Sequence, residues 1–345
     1  MNTLIIGGSK FVGLRLAHKL AEQGHDVTAL NRGVSGGRLP AGVRALKADR
    51  RDAAGLLAAL AAGARGGFDA VFDICGYLPA DVESFAAALG AAGLRIKHYV
   101  FCSSVAVYDF EAIKFCPVRE DFPLLSEFGK SRDPFADYGR NKILCERALL
   151  ANGTFPATII RPAYIYGPLN YIYREAYFFD RAEAGRQILI PGGGHNMLHF
   201  IHVDDLADAF IKAALNPAAF GKAYNIAGPE TVTAAGFAWL CAAAAGKKAD
   251  IRAYDPGLLQ RVFQPEELNN MRDPVFPFAT DESVYYDTSA AARDLAWQPA
   301  YGLQRGIRDA YDWRLRDRAG KPQPAPASAS GFARDERILA RLRRA

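Results

Sequence analysis

Cysteine is sparse and without pattern in this 345-residue chain: Cys75, Cys102, Cys116, Cys145 and Cys241 are odd in number, scattered and never in CxxC spacing. That argues against a disulfide framework or a zinc site and points to a reducing compartment. No apolar run is long enough to cross a bilayer. No leader-like stretch opens the chain either, because Met1 runs almost directly into a strand and a glycine-rich turn. The expectation is a cytoplasmic protein with no membrane partner. Charge of one sign is also in short supply, with 42 Lys and Arg against 37 Asp and Glu, a net +5 concentrated toward the C-terminal end. So mild a balance suits an anionic small molecule, and nucleic acid is not expected as a partner. His195, His199 and His202 lie close in sequence, but no cysteine or carboxylate pattern accompanies them and no metal is expected.

Hydrophobic residues make up 50% of the chain, enough for a sizeable core in one large or two ordinary domains. Apolar strand candidates at residues 3–6, 26–30, 69–74 and 98–102 alternate with alanine-rich helical stretches near 53–62 and 80–92. Such alternation predicts a parallel, doubly wound α/β sheet.

The first of these strands leads into Gly7-Gly8-Ser9-Lys10-Phe11-Val12-Gly13, followed by Leu14, Leu16, Ala17, Leu20 and Ala21 at helical spacing. A strand, a tight turn and a helix start are what a dinucleotide pyrophosphate needs: close backbone approach at glycine, and a helix N-terminus with its partial positive charge. Gly7, Lys10, Phe11, Val12 and Gly13 are therefore cofactor-binding candidates. The second strand ends at Asn31-Arg32-Gly33, where the adenosine ribose should lie. An acidic residue there would bind a free 2′-hydroxyl and repel a 2′-phosphate. With Asn31 and Arg32 in that place and Lys10 in the turn, NADP is favoured, while NAD stays acceptable if the basic side chains only face solvent.

Tyr138 and Lys142 carry the chemical signal. A tyrosine hydroxyl titrates near about 10 and needs a cation beside it to move protons at neutral pH. Lysine four residues on along a helix lies on the same face and supplies that cation. Upstream, the apolar run 99–108 reads as a buried strand ending in hydroxyls at Ser103 and Ser104, which can hydrogen-bond a substrate oxygen.

Taken in order, the glycine turn, the hydroxyl-ended strand, Tyr138 with Lys142, the run Arg161 to Pro168 and the run Phe200 to Ala207 resemble an extended short-chain dehydrogenase/reductase of the NAD-dependent epimerase/dehydratase group. The resemblance covers about residues 1 to 315. The passages at 48–52, 68–76 and 161–171 are similar to the chloroplast stem-loop RNA-binding proteins and their bacterial relatives. It implies Tyr138 as acid/base, Lys142 as its electrostatic partner and a ribose ligand, and Ser104 as the hydroxyl that orients the substrate oxygen. Ser104 is preferred to Ser103 because it stands four residues before Tyr108. By the same resemblance Asp49 and Arg50 border the adenine, and Cys75 and Gly76 the nicotinamide-side ribose. The implied fold is a Rossmann-type sheet with a smaller C-terminal substrate-binding subdomain. Residues 1–167 would form the dinucleotide-binding core, with 200–230 returning to it, 168–199 and 231–316 the substrate-binding part, and 317–345 a linker and basic C-terminal segment.

Departures from the family pattern narrow the chemistry. Lys10 replaces the middle glycine of the turn. Val105 and Ala106 stand where dehydratases of the family carry two acids, which disfavours dehydration. Leu198, Tyr164 and the region 276–278 stand where contacts to a nucleoside diphosphate are usual, although Arg174, Arg181, Arg186 or Arg272 could replace them. Tyr171, Tyr173, Tyr177, Phe178 and Phe179 read first as core and second as stacking surface. The connection 109–136 is either a substrate lid or a solvent-exposed insertion. The basic amphipathic end, 332–345, reads as an intramolecular clasp or a subunit contact, which leaves a homo-oligomer open. The combined reading is an NAD(P)-dependent epimerase or reductase acting on a hydroxyl or ketone of a sugar-like small molecule. The rival is an RNA-binding protein on an epimerase-like scaffold.

Overall fold

A computed structural model describes residues 1–34, 39–63, 66–126, 136–268, 275–278, 283–319 and 328–344. The chain divides into two compact units. The first comprises Met1–Ala163, Val203–Ala227 and Tyr286–Pro299; the second comprises Tyr164–His202, Gly228–Tyr285 and Ala300–Ala345.

Numbered in chain order, the first unit holds β1 (Asn2–Ile6), α1 (Phe11–Glu22), β2 (Asp26–Asn31), β3 (Arg44–Lys47), α2 (Ala53–Gly63), β4 (Phe68–Asp73), α3 (Pro79–Ala91), β5 (Ile96–Cys102), α4 (Ala136–Leu150), β6 (Ala157–Pro162), α6 (Val203–Ala213), β10 (Ala223–Ile226) and α10 (Ser289–Leu295). The seven strands form one sheet in the order β3-β2-β1-β4-β5-β6-β10. Every pairing is parallel. A parallel sheet is covered on both faces, so its strands are continuous apolar runs: Leu4, Ile5 and Ile6, Val71 and Phe72, Val100 and Phe101, Ile159 and Ile160 are all buried. On one face Leu56, Leu60, Phe85, Leu89 and Leu149 of α2, α3 and α4 pack against them. On the other, α1 packs on α6, and the ion pairs Arg15–Asp204 and Lys19–Asp208, each at 2.6 Å, tie the two helices. This is the expected Rossmann-type doubly wound α/β fold.

The winding reverses between β1 and β4, whose last residues Ile6 and Asp73 are register partners. In open sheets of this kind the crevice beyond the strand C-termini at that reversal is where ligands bind. The segment Tyr286–Pro299, assigned from sequence to the substrate-binding part, belongs to this first unit instead. Trp297, fully buried, donates to the Asp205 carbonyl, and Asp294 pairs with Lys222 beside β10. The returning stretch is Val203–Ala227 rather than 200–230, and the first stretch ends at Ala163 rather than 167.

The second unit holds β7 (Tyr164–Tyr166), α5 (Glu175–Glu183), β8 (Ile188–Pro191), β9 (Met197–His202), β11 (Thr231–Thr233), α7 (Ala234–Ala244), β12 (Ile251–Tyr254), α8 (Gly257–Val262), α9 (Pro265–Leu268), α11 (Leu303–Arg318) and α12 (Ser328–Leu342). Two small sheets, β11-β9-β7 and β12-β8, carry it. Its core is aromatic: Tyr177, Phe178, Phe200, Phe237, Phe276 and Phe278 are buried together, with Phe200 stacked on Phe237 at 4.3 Å. The basic end folds as α12 against α5 and α8 through buried Ile338 and a buried ion pair, Arg181–Asp335 at 2.8 Å. Among the described residues no helix is long and apolar enough to cross a membrane.

Candidate functional site

At the turn after β1, Gly7 has φ +92° and is so close to Cys75 that a Cβ would come within 2.9 Å of its Sγ. A Cβ on Gly13 would lie 2.2 Å from the Gly7 carbonyl oxygen, so only glycine lets α1 begin directly against the turn. Lys10 precedes the helix and makes no side-chain cap to it, and its first turn holds no acidic residue. Phe11 stands at φ +37°, a strained setting for a side chain. Phe11 and Val12 are buried, so what they present at the turn is main chain, whereas Lys10 is exposed. A bare backbone concavity opening a helix fits a dinucleotide pyrophosphate.

On the adenosine side, Asn31 closes its own turn by accepting the Gly33 amide at 2.9 Å, and Asp49 does the same for the Arg51 amide at 3.0 Å. The Arg32 side chain is 66% exposed and 4.0 Å from the Asp49 carboxylate. Arg50 departs from expectation. Its guanidinium turns inward, donating to both oxygens of the wholly buried Asp73 at 2.9 and 2.8 Å and to the Asp81 carbonyl at 3.0 Å. A buried carboxylate at the end of β4 needs a cation, and Arg50 supplies it.

Beyond β5 the chain makes a single 3-10 turn, Val105–Val107, whose N-cap is Ser104: its Oγ accepts the Ala106 amide at 3.1 Å. The two serines then part company. Ser103 is buried and donates to Glu146, which also receives Arg161 at 2.7 Å; Arg161 reaches Tyr108, and Tyr108 donates to Asn225 at 2.7 Å. Ser103 and Tyr108 are thus absorbed into an internal brace, while Ser104 is half-buried. A Cβ on Gly139 would lie 2.1 Å from the Ala106 carbonyl oxygen, so α4 can touch the 3-10 turn only because glycine follows Tyr138. That contact brings Tyr138 and Ser104 to the same end of the sheet.

Lys142 is fully buried and donates to the carbonyls of Gly76 and Cys102, each at 2.7 Å. Its Nζ stands 5.7 Å from the centre of the Tyr138 ring and 5.0 Å from that of Tyr77. Burial works against the ammonium, but Tyr138, Cys102 and Asp73 more than offset it and hold its pKa above the ordinary lysine value. Burial pushes the Cys75 and Cys102 thiols up to about 11, so neither is a nucleophile at neutral pH.

The NAD-dependent epimerase/dehydratase family model matches residues 3–227, from the first strand of the sheet to the last. The chain belongs to that family. It is 33% identical over 323 residues to the chloroplast stem-loop binding protein of 41 kDa b from Arabidopsis thaliana, covering 90% of this chain and 78% of that protein. It is 29% identical over 344 residues to a 2-alkyl-3-oxoalkanoate reductase from Stenotrophomonas maltophilia, covering 89% and 98%. Its fold is similar to that of UDP-glucose 4-epimerase from Thermotoga maritima, solved with UDP-glucose, at 20% identity and a TM-score of 0.71 over 92% of this chain and 99% of that one. Membership upholds the reading of the chain as an NAD(P)-dependent enzyme of the epimerase and oxidoreductase group.

Several motif positions of the family member land in the second unit's core. Leu198 is buried in β9, Tyr164 packs on Phe278 at 5.2 Å and Phe200 at 5.8 Å, and Phe276 joins them. Of the arginines considered as substitutes, Arg181 is spent on Asp335 and the Tyr177 ring, Arg186 pairs with Glu336, and Arg174 lies over Tyr164 and donates to the Ile165 carbonyl. Arg272 lies outside the described residues. Tyr177, Phe178 and Phe179 are core, whereas Tyr171 is exposed. His199 bonds the Gly228 carbonyl, His202 stacks on Tyr301 and faces Asp309 at 3.4 Å, and His195 is exposed. Among the described residues no group of three or more His, Cys, Asp or Glu could hold a metal.

The connection after Tyr108 is neither lid nor free insertion over its described part. Val118, Phe122 and Leu125 are buried, and Glu120 accepts the Asn225 amide at 2.8 Å. Residues 127–135 lie outside the described residues. Sequence reasoning missed Asp73, Gly139 and Glu146. The last was findable, since it lies one helical turn beyond Lys142 on the same face.

Proposed function

We propose that this family member is an NAD(P)-dependent epimerase or reductase that oxidises or reduces a hydroxyl or ketone of a sugar-like small molecule. What supports the reading is Lys142, whose Nζ lies 5.7 Å from the centre of the Tyr138 ring and bonds the Cys102 carbonyl two residues before Ser104, together with the Gly7–Cys75 contact at the sheet's switch point. The nicotinamide group, when bound, supplies a hydride acceptor or donor. The residues that would hold it are the Gly7–Gly13 backbone, Asn31, Arg32 and Asp49 on the adenosine side, with the main chain of Arg50, and Cys75, Gly76 and Lys142 on the nicotinamide side. Tyr138 exchanges a proton with the substrate oxygen, Lys142 stabilises the tyrosine's charged form, and Ser104 orients that oxygen. Epimerisation and reduction use the same three side chains.

NADP is the preferred cofactor in this reading, supported by exposed Arg32 and Lys10; Asp49, 4.0 Å from Arg32, is the carboxylate that a 2′-phosphate must outcompete. Val105 and Ala106, unable to protonate or deprotonate a substrate carbon, speak against dehydration. The packed apolar side chains of Tyr164, Leu198, Phe276 and Phe278 support a substrate smaller than a nucleotide sugar. A reducing cytoplasm suits five unpaired cysteines. The likeness to a stem-loop binding protein keeps RNA as the second reading.

A thermal-shift and turnover screen of cofactor-loaded protein separates these substrates. Free sugars, polyols or glycosides should turn over, and UDP- or dTDP-sugars should bind weakly. A micromolar nucleotide sugar would defeat the substrate reading. Salt-sensitive stem-loop RNA binding that survives Tyr138→Phe and is lost on removal of residues 332–345 would favour RNA.

A further inference from the structure

The carboxylate of Asp73 takes four hydrogen bonds in a place with no solvent exposure: two from Arg50, one from the Tyr99 hydroxyl at 2.6 Å and one from the Cys75 amide at 3.1 Å. So many donors keep an anion ionised where an unpaired one would be expelled, and they leave it no freedom to move. Arg50 is held in turn by the Asp81 carbonyl, and Ser84 donates to the Arg50 carbonyl at 3.0 Å. What this rigid centre controls is the chain that follows β4. The bond to the Cys75 amide sets the turn, and the next residue, Gly76, has no space for a side chain, since a Cβ would meet the Phe101 ring at 2.8 Å and the Asp73 carboxylate at 3.0 Å. The Gly76 carbonyl that results is one of the two acceptors of Lys142.

We propose that Asp73, clamped by Arg50, is the positioning residue that fixes the Cys75–Gly76 turn and through it Lys142 for the nicotinamide half of the cofactor. The inference rests on the cofactor reading above. An apolar side chain would pack the end of β4 as well, but it could not anchor the Cys75 amide or offset the Lys142 charge. The clamp therefore acts chiefly on the nicotinamide end of the dinucleotide site and reaches the glycine turn only where Cys75 meets Gly7.

Calorimetric titration of the full chain with NADP, NAD, ADP and adenosine 2′,5′-bisphosphate tests this, because the last two lack the nicotinamide-side ribose. Asp73→Asn should raise the dinucleotide Kd roughly tenfold, the size of one hydrogen bond to a charged group, and leave the two adenine fragments within about twofold of wild type. Lys142→Ala should show the same pattern. If Asp73→Asn unfolds because Arg50 is left unpaired, Arg50→Met with Asp73→Asn keeps the amide acceptor without the buried charge and is read in the same way. Dinucleotide affinity unchanged in the Asp73 variants but lost in Lys142→Ala overturns the proposal alone. Parallel weakening of dinucleotides and fragments reduces Asp73 to a structural role. If Lys142→Ala itself changes nothing, the assignment of Lys142 as a ribose ligand fails, and the proposal with it.

Discussion

In the first unit the positions that matter are buried and charged; in the second they are buried and aromatic. Around the ends of β4, β5 and β6, Arg50 is closed on Asp73 and Arg161 on Glu146, and Lys142 lies between two carbonyls. Every one of these charges is nearly or wholly buried and paired. In the second unit, the places where family relatives would be expected to carry polar ligands hold Tyr164, Leu198, Phe276 and Phe278, packed with Phe200 and Phe237. Buried charges fix direction, because each demands its partner at hydrogen-bond distance, whereas packed rings fix volume. The contrast is the physical basis of the proposed roles, in which paired charges set the geometry of the reacting groups and packed side chains limit the size of the substrate.

Four changes press on that contrast, the largest first. Tyr138→Phe removes one oxygen from the charged side, and turnover on any substrate found by the screen should fall by about three orders of magnitude while the dinucleotide Kd stays within about twofold. Steady-state kinetics with calorimetry check it, and retained activity would move the acid/base role to another group. Phe200→Ala attacks the aromatic side: loss of a ring packed on Phe237, Phe278 and Tyr166 should cost about 3–5 kcal/mol in urea unfolding. A cost below about 1 kcal/mol would mean that the rings are loosely packed and that space for a larger ligand exists.

Glu175 sharpens the comparison: like Arg181 and Asp335 it is a buried ionisable group within the aromatic unit, and its carboxyl accepts the Gly167 amide at 3.2 Å and the Asn170 side chain at 2.9 Å. Burial outweighs those bonds and pushes its pKa up to about 7. A carboxyl whose folded pKa lies above its unfolded value of 4.5 adds stability in full below that value. This contribution is lost as pH rises toward 7. Stability should therefore fall by about 1–3 kcal/mol between pH 4.5 and 7.5 from this residue, and Glu175→Gln should flatten that part of the profile. Equal slopes in the two proteins would show that the carboxyl is not held protonated. The smallest change is Arg32→Ala, at an exposed side chain, which should weaken NADP about tenfold and NAD hardly at all. Equal losses for both would end the 2′-phosphate argument.

Those same residues show how much was legible beforehand. Tyr138 with Lys142 could be read because helical periodicity puts positions four apart on one face, and the glycine turn because its strand and helix adjoin it in the chain. The direction of the Arg50 side chain was not legible, for the opposite reason. Whether it faces outward or into the protein depends on Asp73, 23 residues later at the end of β4, a strand that β1 and β2 separate from β3 in the sheet. The Ser103–Glu146–Arg161–Tyr108 brace spans β5, α4 and β6 in the same way, and the aromatic wall draws on segments around 164, 178, 200, 237 and 278.

The amino-acid sequence by itself determined the parallel α/β sheet, the glycine turn that opens α1 and the three side chains proposed to carry the reaction, because each is written in short-range spacing that local backbone geometry translates directly. Only the tertiary structure decided which serine is absorbed into the interior, which arginine remains at the surface, and that Gly139 and Asp73 set the approach of α4 and the pose of Lys142. Those outcomes depend on burial, and burial is a property of neighbours brought together by the sheet order, not of positions along the chain.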